Sequence, residues 1–565
     1  MNEKKLDLVF LWHMHQPDYR DHDSGEFLLP WVYLHGLKDY TDMAAHLERH
    51  PSIRAVVNFV PVLLDQIEDY VVQLDGNTLR DPLLRMLVRE RHDDLTLEER
   101  HWLLDTCFRG NHARLLAPYP RYQRLFELCR LSRDEAGFGV SYLSGRYFAD
   151  LVTWYHLAWT GETERRRTPL LAELMSKGEG FTVDDRRRLL GYIGDTLRNL
   201  IPRYRALAER GQIELSATPH THPIGPLLID FGCAREAMPD VALPLGSVYP
   251  GGRMRAAAQL SAAIDSHRRR FGAPPAGLWP AEGAVSAPFL QLIAAQGITW
   301  AASSETVLLN SLKRHSAHPP PRNEYLYRPW RLPEASGLTL FFRDERLSDL
   351  IGFEYSKWHG RDAARHFVAE LDKIREAAPP GQTPVVSVIL DGENAWEYYP
   401  YNAYYFFDDV YSLLASHESI RCTTFGERLA QDREDTGTLP ALVAGSWVYG
   451  NLSTWIGDPD KNRAWELLCA AKQSYDLVTA SRRLDEAAAA AAQAQLAVCE
   501  GSDWFWWFGD YNPPATVASF DRLFRHNLAR LYRLMQLPAP PQVDMPISHG
   551  RGAPESGGTM RRAAE

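Results

Sequence analysis

Leu11-Trp12-His13-Met14-His15-Gln16-Pro17 closes an apolar run that begins at Leu6, and the way this run ends decides the fold. Residues 6–13 are short and apolar enough to form a strand buried on both faces, as the strands of parallel sheets are. Successive side chains of a strand point to opposite faces, so His13 and His15 share one side while Trp12 turns to the other. Parallel α/β folds place their sites at the C-terminal ends of such strands, which makes both imidazoles candidates to face the mouth of a barrel.

Working outward, comparable runs occur at 55–60, 212–217, 276–279, 298–302, 338–342 and 385–390. Between several of them lie helix-like stretches, such as the one that Ser286 opens as an N-cap and Gly297 closes. This alternation predicts an α/β chain, either a barrel or a doubly wound sheet. Residues 81–210 break the rhythm with long, charge-rich amphipathic runs and read as a helical insertion after the second strand. After Tyr404 helices dominate, including the alanine-rich stretch 487–494. The expected organisation is a catalytic unit over 1–403 with the insertion at 81–210, a helical domain over 404–537 that contributes to the substrate groove, and a mobile tail over 538–565. That tail is rich in Pro, Gly, Ser and Arg and has little apolar surface to offset the entropy of ordering.

A chain of 565 residues with 45% hydrophobic content can bury a large core. Its net charge of -10 leaves no basic footprint for nucleic acid or an anionic membrane, so neither is an expected partner. The six cysteines include no Cys-x-x-Cys pair and predict reduced thiols in a cytoplasmic protein. The N-terminal apolar stretch is too short for a signal core or a membrane span, so no export by this route is expected.

A second His-x-His, His220-Thr221-His222-Pro223, follows the run at 212–217 and repeats the theme of the first. Glu282 stands in Leu278-Trp279-Pro280-Ala281-Glu282-Gly283, and Asp391 in Ile389-Leu390-Asp391-Gly392-Glu393-Asn394-Ala395-Trp396-Glu397. Each acid lies just past a strand-like run and near a tryptophan, here Trp279 and Trp396. Two carboxylates beside flat apolar surfaces are what is needed to hold a sugar and cleave its glycosidic bond. A helix-leading role for Glu282 and a turn role for Asp391 are the plainer alternatives. The crowding of Asp391, Glu393 and Glu397 exceeds what a turn requires, and neighbouring carboxylates raise each other's pKa, as a general acid needs. Arg343 and Asp344, at the end of the sixth run, are either a solvated loop or contacts to sugar hydroxyls. Asp503-Trp504-Phe505-Trp506-Trp507-Phe508 is too aromatic to bury every face against one neighbour, so some of its rings should form a substrate wall.

Together these motifs resemble glycoside hydrolase family 57, which contains α-amylases, amylopullulanases, 4-α-glucanotransferases and branching enzymes. The resemblance runs from His13 to Asp510: His15-Gln16-Pro17 opens the barrel, Gly211, Glu214 and His222-Pro223 form the second region, and Asp503-Trp504-Phe505-Trp506-Trp507 resembles the fifth. It implies an incomplete seven-stranded (β/α) barrel with Glu282 as nucleophile and Asp391 as general acid/base of a retaining mechanism. The expected activity is an α-amylase or amylopullulanase-like hydrolysis of α-1,4-linked glucans, with glucan transfer or branching on the same machinery as the runner-up. The expected substrate contacts are His13, His15, His222, Trp279, Arg343, Asp344, Trp396, Asp503 and Trp504.

No cofactor or metal is expected on this reading. The rival from another class is an amidohydrolase-type zinc enzyme, in which His13, His15, His222 and Asp391 would be ligands and Glu282 incidental. A catalytically dead glycan-binding protein would be expected to have lost one of the two acids, and both are present. Branch tolerance, chain-length preference, oligomeric state and temperature optimum are set by residues outside the motifs.

Overall fold

The computed structural model describes residues 4–132, 138–246, 248–431 and 435–552. Its centre is a ring of seven parallel strands: β1 (Leu6–Met14), β2 (Ala55–Phe59), β3 (Ile213–Ala217), β4 (Gly277–Leu278), β5 (Trp300–Ser304), β6 (Thr339–Arg343) and β7 (Val385–Asp391). Neighbours in sequence are neighbours in space, and the ring closes where β7 pairs with both β1 and β6. The β6–β7 seam is narrow, with Arg343 opposite Ser387 as its register pair. This is a (β/α) barrel one strand short of the usual eight. Its strands fall on the seven apolar runs of the sequence.

Alternation along each strand builds two cores. Leu8, Phe10, Trp12 and Met14 face outward into the layer shared with the helices. Val9 and Leu11 face inward with Val56, Trp300, Ala302, Phe341, Val385 and Ile389. Phe425 closes the bottom of the barrel, stacked at 4.4 Å on Phe341 and lying 4.6 Å from Trp300. Glu214 is also structural there, accepting from Trp300 Nε1 at 2.6 Å and from the Gly426 amide at 2.9 Å. At the top, the inward series of β1 continues from Val9 and Leu11 to His13, and that of β7 from Ile389 to Asp391. His13 and Asp391 are register partners.

Between β2 and β3 the described chain is helical, from Pro61–Asp75 to the long helix Val183–Glu209, which Thr182 opens with a capping box. Three short strands carry no periodic signal in the sequence: Ile420–Cys422 beside β1, Trp330–Arg331 antiparallel to β6, and Gly437–Thr438 on its outer side. The helices Pro459–Ala480, Glu486–Cys499 and Pro514–Leu534 follow. They are tied to the barrel by a buried ion pair in which Arg255 Nε meets Glu500 Oε1 at 2.6 Å. No helix among the described residues is long and apolar enough to cross a membrane.

Residues 538–552, placed by composition in a mobile tail, instead lie on the helix Pro514–Leu534. Val543 and Ile547 are buried, and Asp521 Oδ1 accepts from the Ile547 amide at 2.8 Å. Two apolar side chains and a buried carboxylate suffice to order a segment whose overall composition is polar. The rest of that expectation, 553–565, lies outside the described residues.

Candidate active site

The C-terminal ends of the strands open into a cavity of about 740 Å³, and Glu282, Asp391, His13, His15 and Asp503 all line it. Glu282 follows β4 in a tight turn and has a left-handed backbone, φ 58°. Gly283 follows at φ 59°, and a Cβ there would lie 2.7 Å from the Trp279 ring, so the turn needs glycine on both counts. The Glu282 carboxylate accepts from Trp447 Nε1 at 2.8 Å.

Asp391 ends β7. Gly392 donates its amide to the His13 carbonyl at 2.7 Å, and a Cβ at this position would strike Met14 Sδ, so glycine lets the two strand ends close on each other. Burial pushes the Asp391 carboxyl up to about 6, against the opposing pull of a 2.7 Å hydrogen bond from Asn394 Nδ2 and the charges of His15 and Arg343. Glu393 is raised well above the usual range, first by burial and then by the Asp391 charge. Two crowded acids with raised pKa values give the site a proton to donate near neutral pH.

The histidines form one connected group. Asn58 Oδ1 accepts a hydrogen bond from His13 Nδ1 at 2.7 Å, which leaves His13 Nε2 to accept from His222 Nε2 at 3.3 Å and His222 Nδ1 to accept from Ser502 Oγ at 2.8 Å. Both rings are neutral: burial holds His13 down to about 3 and His222 well below its usual value. His15 stacks on His222 with ring centres 3.8 Å apart, and its Nε2 meets Asp503 Oδ1 at 2.8 Å. The four ligands of the rival reading do not form one group: among the described residues, the ligand atoms at this site that lie within 4.8 Å of one another are those of His15, His222 and Asp503, while His13 Nε2 faces His222 Nε2 at 3.3 Å.

Of the expected substrate contacts, several lie behind the cavity wall. Trp279 is fully buried at the top of the barrel interior, where it meets Trp447 edge-on at 5.2 Å. Trp396 is buried against Trp12 and Phe407, with its Nε1 donating to the Gly392 carbonyl at 2.8 Å. Arg343 points into the barrel, donating to the Ile389 carbonyl and to Asp349, with its guanidinium 5.6 Å over the Trp447 ring. Asp344 is the N-cap of the helix Glu345–Asp349 and is buried with Tyr327 and Arg322. His222 supports His15 from below, and Trp504 is buried with its Nε1 on the Val498 carbonyl.

The aromatic surface of the cavity comes instead from Trp447, Trp506, Trp507, Trp31 and Trp159. Trp506 and Trp507 lie three and four positions after Asp503 in the helix Asp503–Trp507, which puts these three on one face, while Trp504 is turned into the core. That spacing was a readable signal. Nothing local marks Trp31, Trp159 or Trp447, which reach the site through the fold.

The sequence model of glycosyl hydrolase family 57 matches residues 9–439. Among solved structures, a branching enzyme of Thermococcus kodakaraensis is similar at TM-score 0.59 and 14% identity, covering 94% of this chain and 90% of that one. An α-amylase of Thermotoga maritima aligns at TM-score 0.57 and 12% identity over 94% and 93% of the two chains. A branching enzyme of Pyrococcus horikoshii aligns at 0.56 and 15% over the full length of both. At these identities the likeness is one of fold. No curated protein sequence matches the chain. The family match spans more than half of the sequence and contains both strand-end acids, and the chain belongs to glycosyl hydrolase family 57.

Proposed function

We propose that this protein is a retaining glycosidase acting on α-1,4-linked glucans, with hydrolysis as its main outcome. The observation that carries the reading is that Glu282 and Asp391, on two different strand ends, open into one cavity. Asp391 is held protonatable by burial, while Glu282 is fixed by an indole hydrogen bond. In the first step a Glu282 oxygen attacks the anomeric carbon, the glycosidic C–O bond breaks, and the leaving oxygen takes the Asp391 proton. In the second, Asp391 removes a proton from water as that water attacks the same carbon and releases Glu282. The neutral His13–His222 pair supports His15, and the indoles of Trp506 and Trp507 offer flat surfaces to successive sugar rings. On this reading the helices of residues 404–537 supply one wall of the groove and those of the insertion another.

Transfer to an acceptor sugar is the second reading, favoured by a separate aromatic surface at Trp31 and Trp159, whose rings stand 5.6 Å apart. The relatives of similar fold are described as branching enzymes and an α-amylase, so both outcomes belong to the class. Product analysis with maltoheptaose, amylose and pullulan separates them: hydrolysis gives only shorter chains and new reducing ends, and transfer gives longer oligomers. Glu282→Gln and Asp391→Asn should each lose activity by orders of magnitude while remaining folded. Turnover retained in either variant rejects the role given to that residue.

A further inference from the structure

Tyr401, Asn402 and Ala403 adopt left-handed backbone conformations in succession, with φ of 53°, 51° and 61°. Non-glycine residues avoid this region, and a strained run persists only where its surroundings enforce it. Here Asn402 acts as a buried plug: its Nδ2 donates to Asp42 Oδ2 at 2.9 Å, and its Oδ1 accepts from Lys38 Nζ at 2.9 Å. Asp42 is itself fixed by the amides of Glu162 and Thr163.

The anchored turn and the helix Tyr404–Ala415 that follows it each display one ring to solvent. Tyr401 is 55% exposed and Tyr405 47%. They meet edge-on with centroids 5.5 Å apart at 86°. Arg166 locks them, its guanidinium 5.9 Å and 5.1 Å from the two ring centres, its Nη2 donating to Tyr405 Oη at 3.0 Å and its Nε to Glu162 Oε1 at 2.8 Å. Neither tyrosine lines the cavity, yet Glu397, four residues before Tyr401, does. Tyr401, on the strained turn, and Tyr405, in the first turn of the helix Tyr404–Ala415, are held in fixed orientation by Arg166 with half of each ring left open, which presents a rigid apolar face to a ligand.

We propose that Tyr401 and Tyr405 form a second carbohydrate-binding surface, outside the cavity, which holds a distant part of the same α-glucan chain. The inference rests on the functional reading above, because only a polymeric substrate can occupy both places. A tyrosine ring offers a sugar its apolar face and a hydroxyl at little entropic cost, and Arg166 removes most of the freedom that remains. A chain held at the surface meets the cavity at a raised effective concentration, an advantage lost by an oligosaccharide of only two or three sugars, too short to reach from one place to the other.

The test is the Tyr401→Ala/Tyr405→Ala double variant beside Tyr401→Phe/Tyr405→Phe, with folding checked by thermal unfolding. The alanine pair should raise KM for amylose roughly ten-fold, leave kcat/KM for maltotriose unchanged, and lose most of its retardation in native gels containing amylose. The phenylalanine pair keeps its rings and should stay retarded. Unchanged retardation of the alanine pair overturns the proposal, as does an equal change in both substrates, which would place the tyrosines in the cavity. A wild-type enzyme that turns over neither substrate would refute the functional reading instead, and gel retardation would still report on the surface by itself.

Discussion

Trp447 holds Glu282 at two points: its indole Nε1 donates to Oε2 at 2.8 Å, and its backbone amide donates to the Glu282 carbonyl at 3.0 Å. The indole is held in turn by Trp279 at its edge and the Arg343 guanidinium over its face. The residue proposed as nucleophile is thus oriented in part by a partner distant in sequence. Trp447→Phe keeps the aromatic packing and removes the side-chain hydrogen bond. We expect kcat for maltoheptaose to fall roughly ten- to a hundred-fold with the fold intact, the scale at which misplacing a reacting group is felt. An unchanged kcat would show that Glu282 is positioned without the indole.

Asn394 donates to Asp391 Oδ2 and so favours the charged carboxylate. The alkaline limb of kcat/KM should follow the Asp391 proton, with a midpoint near the pKa of about 6. Asn394→Ala removes a stabiliser of the charged form, so the pKa rises and the limb moves to higher pH by roughly one unit. A pH–rate profile decides the matter, and movement toward lower pH would contradict the assignment.

The same burial costs stability. The folded state binds the Asp391 proton more tightly than the unfolded chain, whose carboxyl titrates near 3.8, so stability falls as pH rises from about 4 to about 6 and stays reduced above that. Asp391→Asn should therefore raise stability at pH 7 by about 1–3 kcal/mol while abolishing turnover. Urea unfolding at pH 4 and pH 7 measures this, and the gain should be small at the lower pH. A variant destabilised at pH 7 would mean that the carboxylate is solvated better than its burial implies.

The barrel was legible because each strand is an apolar run long enough to bury both faces, and because His13 and Asp391 extend the inward alternation of their strands into the mouth. Adjacency in sequence was a poor guide to the aromatic contacts. Trp279 and Trp396 stand near the acids but point into the barrel and the outer core, where they support the site from behind. Asp344 ends a strand with a charge for the ordinary reason that a helix needs an N-cap. Trp447 belongs to a segment with no local pattern, and its partner lies 165 residues away, so only the closed fold brings the pair together.

The aromatic run offers the sharpest separation of wall from core. Trp504 is 1% exposed and bonded to the Val498 carbonyl, with Phe520 and Phe524 against its ring, whereas Trp506 and Trp507 share the Asp503 face that lines the cavity. Trp504→Ala should cost about 3–5 kcal/mol through the void it leaves, with KM of the surviving folded enzyme close to that of the wild type. Trp506→Ala also loses packing, since its ring is mostly buried, and unfolding alone would not distinguish the two. Substrate affinity does: removing a ring from the wall should raise KM for maltoheptaose roughly ten-fold, the value of one lost aromatic contact of about 1.5 kcal/mol. If Trp504→Ala raised KM and Trp506→Ala did not, the helix would present its other face to the sugar, and the wall assigned to Asp503, Trp506 and Trp507 would have to be given up.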